Sequence, residues 1–425
     1  MVNKKSKKFD IVVGIPSFNN EKTIKHVLAA VTLGLVKYFP NFSSVIINSD
    51  GGSKDKTTRV FKDYCLNHCD ISSIILHDYH PVTRKLIKPR KEVVRYKGIP
   101  GKGSALKAIF EKALEYDTKV CIVVDSDLRS ITPEWIQLLA APALYQNFDY
   151  ITPLYSRHKY DGTITNSIIY PLTRALYGKN IRQPIGGEFG ISQRLFKNFL
   201  KKDVWETDIA RFGIDIWMTT TAIAESYQIA QVFLGAKLHD AKDPSESLGP
   251  MFSQVIKTLF ELMEKYKNVW KKAKKEKTTT LFGFETEVEP APVQIDEKQL
   301  TQKFREGIKV YRNLYKEIFT PAVFKKIARY EIPVLRNLTK NGLLDFSPFL
   351  WSECIYQMAY FFHRNKGNSI RQIKALEALV PLYFGFVAGF SDATKNVSSH
   401  ESEIFIEKIY EAFEKKKSYI IKYWK

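Results

Sequence analysis

Short runs of β-branched and aliphatic residues alternate with helical periodicity along the amino-terminal part of the chain. Asp10 to Ile15 and Ser44 to Asn48 predict strands, and the spacing of apolar residues from Lys22 to Tyr38 predicts an amphipathic helix between them. Strand, helix and strand in this order are typical of a parallel sheet with crossover helices. The pattern therefore predicts an α/β domain.

The alternation continues through predicted helices at Asp55 to His68, Ala105 to Tyr116 and Asp215 to Glu225. Further strands are predicted at Ile74 to His77 and, fully apolar, at Val120 to Val124. Beyond Gly249 the pattern is almost wholly helical. A chain of 425 residues is also long for one domain. We expect an α/β domain over residues 1–248 and a mainly helical region over residues 249–425, with a flexible loop at about 274–295.

Composition narrows the classes of partner only a little. The net charge of +20 favours anionic partners, but it does not choose among sugar nucleotides, nucleic acids and anionic lipids. No recognisable nucleic-acid-binding motif is present, the start of the chain has no apolar signal core, and the apolar stretch Ala378 to Phe390 is too short to span a bilayer. We expect a cytoplasmic protein with no nucleic-acid or membrane partner.

Cysteine usage agrees with a reducing compartment. The four cysteines, Cys65, Cys69, Cys121 and Cys354, are too few and too scattered for a disulfide framework. Cys65 and Cys69 also lack two further ligands at the spacing of a zinc site. We therefore expect reduced thiols.

Asp125-Ser126-Asp127 directly follows the buried strand Val120 to Val124, at the end of a strand where ligands bind in α/β sheets. Paired carboxylates can hold a divalent cation, which neutralises the charge of a leaving diphosphate. His239, with Asp240 beside it, could complete the ligand set, and such mixed ligation suits Mg²⁺ or Mn²⁺. The alternatives are an Asp-x-Asp that caps a turn and a histidine satisfied at a strand end.

Three other loops carry candidate binding groups. The loop from Pro16 to Glu21 could hold a ribose or a base, or could simply cap the following helix. Asp50 could accept hydrogen bonds from a base edge, although Asp-Gly-Gly is equally a simple turn. Lys102, between two glycines at the start of a predicted helix, lies where backbone amides and the helix dipole favour phosphate.

These motifs, in this order, resemble retaining GT-A glycosyltransferases of the mannosylglycerate synthase, glucosylglycerate synthase and glucosyl-3-phosphoglycerate synthase type. The resemblance covers roughly the first 250 residues. Its most specific stretch is Gln-Pro-Ile-Gly-Gly-Glu at residues 183–188. It implies a Rossmann-like GT-A domain of the nucleotide-diphospho-sugar transferase kind, followed by a helical accessory region.

The resemblance also implies roles for individual residues. One departure is Asn20, where relatives carry an acidic residue, and Asp215 could alternatively serve only as a helix N-terminal charge. The residues implied to bind the nucleotide sugar are Pro16, Ser17, Phe18, Asn20, Asp50, Lys102, Asp125 and Ser126. The implied metal ligands are Asp127 and His239, the implied catalytic residues are Asp127, Glu188 and Asp215, and the implied acceptor-binding residues are Arg157, Gly162, Thr163 and Thr165.

The implied reaction is transfer of glucose or mannose, with retention, from a GDP- or UDP-linked donor to D-glycerate. Relatives that use 3-phosphoglycerate carry an arginine directly after the matching glycine, and this chain has Thr163 there. Loss of a bidentate phosphate donor favours the unphosphorylated acceptor. Two alternatives stay open: a 3-phosphoglycerate-dependent enzyme, and an inverting transferase with Glu206 or Asp208 as general base. We also expect a homo-oligomer.

Overall fold

The computed structural model describes residues 7–64, 88–96, 98–238, 249–273, 278–286, 290, 292–331 and 346–424. The chain divides into two compact units. The first comprises Met1–Ser156, Ile185–Asp240 and Thr279–Val288, and the second comprises Arg157–Pro184, Ala241–Thr278 and Glu289–Lys425. This division differs from the single boundary predicted at residue 248, because residues 157–184 group with the second unit and residues 279–288, inside the predicted loop, group with the first.

In the described residues, a sheet of eight strands in the order β3-β2-β1-β4-β6-β5-β7-β8 forms the centre of the first unit. Strand β6 is antiparallel to both of its neighbours, and the remaining strand pairs are parallel. The α/β class predicted from the sequence is confirmed. The strands are β1 (Ile11–Ser17), β2 (Ser44–Asp50), β3 (Arg90–Arg95), β4 (Val120–Val123), β5 (Tyr150–Ser156), β6 (Phe189–Ser192), β7 (Ile229–Ala236) and β8 (Thr280–Phe282).

Helices lie along this sheet in the first unit. Strands β1, β2 and β4 are almost continuously buried, as their apolar runs require in a sheet covered on both faces. Helix α1 (Ile24–Tyr38) packs against helix α4 (Pro133–Tyr145), and their apolar faces join those strands in one core. The helices of this unit are α1 (Ile24–Tyr38), α2 (Thr57–Asp63), α3 (Lys102–Glu115), α4 (Pro133–Tyr145), α6 (Gln193–Leu200) and α7 (Ile214–Ala224).

The second unit is helical in its described residues, which confirms the predicted helical character of the carboxyl-terminal region. A short π-helix, Thr165–Ile169, leads into its first α-helix. The α-helices are α5 (Tyr170–Tyr177), α8 (Gly249–Lys265), α9 (Lys267–Trp270), α10 (Glu297–Val310), α11 (Arg312–Ile318), α12 (Pro321–Ala328), α13 (Pro348–Arg364), α14 (Ser369–Thr394) and α15 (Glu403–Tyr423).

Helix α14 is longer than its apolar stretch suggested. At 26 residues it is long and apolar enough to cross a membrane by length and composition, so the expectation that this segment is too short was wrong. In the structure, 61% of the most apolar part of this helix is buried inside the protein, and the helix packs against α8, α10 and α13. That burial is typical of a core helix.

Two predictions fall outside the described residues: the strand at Ile74 to His77, and the thiols of Cys65 and Cys69. Cys121 and Cys354 are buried free cysteines. The edge strand β3 was not predicted, because the sequence Arg-Lys-Glu-Val-Val-Arg has too little apolar character to read as a strand.

Gly190 provides a test of the packing between β6 and α4. A Cβ atom at this position would lie 1.9 Å from the carbonyl oxygen of Leu139, so one of the two backbones would have to move. We expect Gly190→Ala to lower the free energy of unfolding by about 1–3 kcal/mol or more, measured by denaturant titration. Gly249→Ala is the control, since a Cβ there meets no atom of the described residues within 4 Å. Equal stability of both variants would contradict this packing.

Candidate active site

The first loop is tied to the loop that follows β4. The side-chain amide oxygen of Asn20 accepts hydrogen bonds from the backbone N–H of Phe18 and from the hydroxyl of Ser126, both at 2.9 Å. Thr23 donates from its hydroxyl to the carbonyl oxygen of Ser126 at 2.7 Å. Asn20 therefore positions two loops relative to each other, while the Phe18 ring stays 58% exposed and open to a ligand.

Asp50 lies buried at the end of β2. Its Oδ2 atom accepts hydrogen bonds from the backbone N–H groups of Gly52 at 2.9 Å and Ser53 at 3.0 Å, and its Oδ1 atom lies 3.4 Å from the Ser17 hydroxyl. These bonds are those of a turn cap, one of the two interpretations that the sequence left open. Asp50 thus shapes the loop at the end of β2, and Pro16 and Ser17 close the neighbouring strand beside it.

The glycines around Lys102 have a packing role. A Cβ at Gly103 would lie 1.8 Å from the carbonyl oxygen of Ile209, and one at Gly101 would lie 2.5 Å from that of Ala210. The Gly103 N–H donates to the carbonyl oxygen of Arg211 at 3.2 Å. The missing side chains therefore let the start of α3 approach the 209–211 segment, which places Lys102 in the first turn of α3.

Lys102 joins two carboxylates from distant parts of the chain. Its Nζ atom lies 2.8 Å from Asp125 Oδ1, just after β4, and 3.2 Å from Asp215 Oδ2, in the first turn of α7. All three side chains are largely buried, being 17%, 24% and 11% exposed. The other oxygen of Asp215, Oδ1, is buried with no hydrogen-bond partner among the described residues.

Lys237, just after β7, completes the cluster of charges. Its Nζ atom donates to the carbonyl oxygen of Gly186 at 2.7 Å and to both oxygens of Glu188 at 3.1 and 2.8 Å, and it lies 3.7 Å from Asp125 Oδ2. The Tyr155 hydroxyl donates to the second oxygen of Glu188. We call Lys102, Asp125, Glu188, Asp215 and Lys237 the charge cluster.

Gly187 allows the backbone to press against this cluster. Its φ angle of 96° lies in the left-handed region, which favours glycine. A Cβ there would lie 2.4 Å from Asp125 Oδ2 and 3.0 Å from Lys237 Nζ. Any side chain at this position would therefore displace the two charged groups.

In the charge cluster, burial raises the pKa of each carboxyl group, whereas the nearby ammonium groups lower it. Burial alone would raise the pKa of Asp125, but the ammonium groups of Lys102 and Lys237 lower it to about 2. Burial, with the charge of Asp125 nearby, raises the pKa of Glu188 to about 7 and also raises that of Asp215. The carboxylates in turn raise the pKa of Lys102, against the effect of its burial. Asp125 is therefore charged at neutral pH, whereas Glu188 titrates near it.

Of the two predicted metal ligands, Asp127 and His239, only Asp127 belongs to the described residues. Asp127 is half-buried two residues after Asp125. Within the described part of the chain, no group of three or more His, Cys, Asp or Glu side chains could by itself hold a metal ion. Asp125, the first carboxylate of the Asp-x-Asp pair, lies 2.8 Å from the ammonium of Lys102 and 3.7 Å from that of Lys237.

The four predicted acceptor-binding residues all belong to the second unit. Arg157 donates from Nε to Asp161 Oδ2 at 2.8 Å, and Gly162 adopts a φ angle of 74°. Thr163 is buried, and its hydroxyl group forms a hydrogen bond with the hydroxyl group of Tyr383. The remaining one, Thr165, is buried in the π-helix Thr165–Ile169.

Sequence reasoning missed Lys237 and Tyr155. A lysine or tyrosine at a strand end is common, and no fixed spacing ties either one to Glu188. Their position in the sequence could have identified them, because both residues lie near the carboxyl end of a parallel strand, as Asp125 does. Of the alternative bases, Glu206 is exposed and Asp208 lies 3.6 Å from Arg211.

Comparison with known proteins identifies the kind of enzyme. Residues 83–256 match the family model described as mannosylglycerate synthase, GT domain. The glucosyl-3-phosphoglycerate synthase of Petrotoga mobilis is 27% identical over 271 residues, which are 60% of this chain and 74% of that protein. The chain is a glycosyltransferase. The resemblance seen in its motifs is thereby confirmed.

Solved structures similar to this glycosyltransferase include glucosyl-3-phosphoglycerate synthase from Mycobacterium tuberculosis. Its complex with Mg²⁺ and UDP is 24% identical, with a TM-score of 0.43, over 60% of this chain and 79% of that chain. Its complex with Mn²⁺, UDP and glucosyl-3-phosphoglycerate is 23% identical, also with a TM-score of 0.43, over 60% and 80% of the two chains.

The raised pKa of Glu188 predicts a pH-dependent stability. Between pH 4.5 and 7 the native protein keeps a proton on Glu188 that the unfolded chain has released, so the free energy of unfolding falls as the pH rises through this range. We expect the free energy of unfolding of the wild type to fall by on the order of 2–3 kcal/mol over this range, and this fall to be absent in Glu188→Gln. Denaturant titration of the ligand-free enzyme measures both. Parallel pH profiles of the two proteins would show that Glu188 does not titrate in this range.

Proposed function

We propose that this glycosyltransferase transfers glucose or mannose from a nucleotide diphosphate sugar to D-glycerate, with retention of the anomeric configuration. The observation that carries the proposal is the buried charge cluster, in which Asp215 keeps one carboxylate oxygen without a hydrogen-bond partner among the described residues. A buried acceptor left unpaired costs about 1–3 kcal/mol. A sugar hydroxyl of the bound donor would supply the missing hydrogen bond.

The cluster's own side chains divide the remaining work. Lys102, in the first turn of α3, supplies positive charge where a diphosphate would accumulate negative charge. Asp125 and Glu188, held by Lys237, would orient the sugar hydroxyl groups, and Gly187 would let the backbone approach the anomeric carbon. Phe18 and the turn capped by Asp50 would border the nucleoside.

A divalent cation fits the chemistry of the residues present. Mg²⁺ and Mn²⁺ are commonly bound through one or two carboxylates together with substrate phosphates, so they do not need a full set of protein ligands. Asp127 would hold the cation, with His239 as the predicted second ligand. Bound there, the cation would supply Lewis-acid stabilisation of the leaving diphosphate. The similar solved structures are complexes with UDP and Mn²⁺ or Mg²⁺.

The way Glu188 is held argues against a covalent glycosyl-enzyme intermediate. Both of its oxygens accept hydrogen bonds from Lys237, and one also accepts a hydrogen bond from Tyr155. A nucleophile would have to give up these bonds to attack the anomeric carbon. With retention as proposed, the acceptor would attack on the face from which the diphosphate leaves, and a phosphate oxygen would take the acceptor proton.

The donor and product can be tested in one set of reactions. GDP- and UDP-linked glucose and mannose would be incubated with D-glycerate, 3-phosphoglycerate or lactate, with Mg²⁺, Mn²⁺ or a chelator, and the products analysed by mass and NMR. We expect a metal-dependent product with an α linkage. A β-linked product would instead favour the inverting alternative, with Glu206 or Asp208 as base.

The structure also supports a preference for the unphosphorylated acceptor. Thr163, at the position of the missing arginine, is buried against Tyr383, and the ammonium of Lys159 donates to the carbonyl oxygens of Thr394 at 2.7 Å and Val397 at 2.5 Å. Neither residue offers a cation for a phosphate group. We propose D-glycerate as the better substrate on this ground.

Steady-state kinetics with both acceptors tests this preference. We expect kcat/KM for D-glycerate to exceed that for 3-phosphoglycerate by about tenfold or more, since one lost charge-assisted hydrogen bond corresponds to about 1.5–3 kcal/mol. A higher kcat/KM for 3-phosphoglycerate would establish the two-step alternative, in which a second enzyme removes the phosphate. The cytoplasmic location and the homo-oligomeric state expected from the sequence remain predictions.

A further inference from the structure

The ammonium group of Lys102 is shared by two carboxylates. Its Nζ atom lies 2.8 Å from Asp125 Oδ1 and 3.2 Å from Asp215 Oδ2. The three side chains are largely buried, so solvent screens these contacts weakly. A diphosphate group that binds this ammonium therefore has to compete with both carboxylates for it.

The two carboxylates differ in what they keep when Lys102 changes partner. Asp125 still has the ammonium of Lys237, 3.7 Å from its Oδ2 atom. Among the described residues, Asp215 accepts at Oδ2 from Lys102, and its buried Oδ1 atom has no hydrogen-bond partner. Burial raises the pKa of Asp215, and Lys102 is the main group that lowers it. Because a buried carboxylate without a partner is strongly unfavourable, Asp215 opposes the loss of Lys102 more than Asp125 does.

Main-chain packing holds Lys102 and Asp215 beside each other. The Gly103 N–H donates to the carbonyl oxygen of Arg211 at 3.2 Å, and a Cβ at Gly103 would lie 1.8 Å from the carbonyl oxygen of Ile209. The start of α3 is thus packed against the segment that leads into α7, and Asp215 lies in the first turn of α7. An exchange of partners therefore has to come from the flexible side chain of Lys102, since the two backbones are fixed.

We propose that Asp215 weakens binding of the free nucleoside diphosphate relative to the intact nucleotide sugar, because it competes with the diphosphate for Lys102. The inference rests on the proposed place of Lys102 at the donor diphosphate. When the diphosphate takes the ammonium, Asp215 loses its partner, and a hydroxyl group of the donor sugar replaces that partner by donating to the carboxylate. The free nucleoside diphosphate, which is the product that leaves, has no sugar to do this. The competition therefore favours donor binding and product release.

Isothermal titration calorimetry at saturating Mg²⁺ tests this competition through the Kd values of UDP and UDP-glucose, and of GDP and GDP-mannose. The proteins are the wild type, Asp215→Asn, which removes the charge but keeps the size of the side chain, and Glu188→Gln. Glu188 is the matched control, since Lys237 and Tyr155 hold it, and it is charged above pH 7. We expect Asp215→Asn to bind the free diphosphate about tenfold more tightly, the size of one charge-assisted hydrogen bond, and the donor no more tightly. Glu188→Gln should not bind the free diphosphate more tightly.

Three results would overturn the inference. An unchanged or weaker affinity of Asp215→Asn for the free diphosphate means that Asp215 does not compete for Lys102. Equal tightening in Glu188→Gln means that the carboxylates only repel the diphosphate through their charge. Asp215→Ser is a second neutral variant, and if thermal unfolding shows that neither neutral variant folds, the carboxylate is structural and the proposal fails.

The part played by Lys102 is tested separately. Lys102→Gln is made in the Asp215→Asn background, where it leaves no charge on Asp215 to be buried without a partner, and it should abolish the gain in affinity for the free diphosphate. A double variant that binds as tightly as Asp215→Asn would remove Lys102 from the diphosphate, and with it the basis of the inference. Absence of transfer to D-glycerate by the wild type would instead refute the proposed acceptor and leave the measured Kd values to decide the inference.

Discussion

Three carboxylates and two ammonium groups share one buried site, and this imbalance of charge governs the chemistry around it. Lys102 and Lys237 neutralise Asp125 most fully, because it lies near both of them. Glu188 and Asp215 have less compensation for their burial, which is why their pKa values rise. The proton on Glu188 is therefore the variable charge of the cluster near neutral pH.

The backbone around the site is adapted to these close approaches. Because Gly187 has no side chain, Asp125 and Lys237 can lie closer to its backbone than a Cβ atom would allow. Gly103 in the same way lets the carbonyl oxygen of Ile209 lie beside the first turn of α3. Both contacts bring a charged side chain to a defined place through main-chain packing. The two glycines that flank Lys102, at a helix start predicted to favour phosphate, therefore have a steric role as well.

Sequence reasoning succeeded where a residue's position depends on local pattern. Asp125 after an apolar strand and Lys102 at the start of a helix were candidates from local pattern, because ligands bind at the carboxyl ends of strands and at helix N-termini. Glu188 precedes an antiparallel strand and was implied only by the resemblance. Lys237 and the Arg157–Asp161 pair could not be predicted, since each depends on contacts that no spacing rule describes. The charged edge strand β3 and the grouping of residues 157–184 with the helical unit escaped prediction because long-range packing determines both.

The position of Lys237 near the end of the sheet-forming sequence has a consequence for biosynthesis. Asp125 and Glu188 leave the ribosome well before Lys237, so an emerging chain holds two carboxylates in this region without one of their neutralising ammonium groups. Burying an unpaired carboxylate is strongly unfavourable. The charge cluster therefore reaches its full pairing only after β7 has been synthesised and paired with β5.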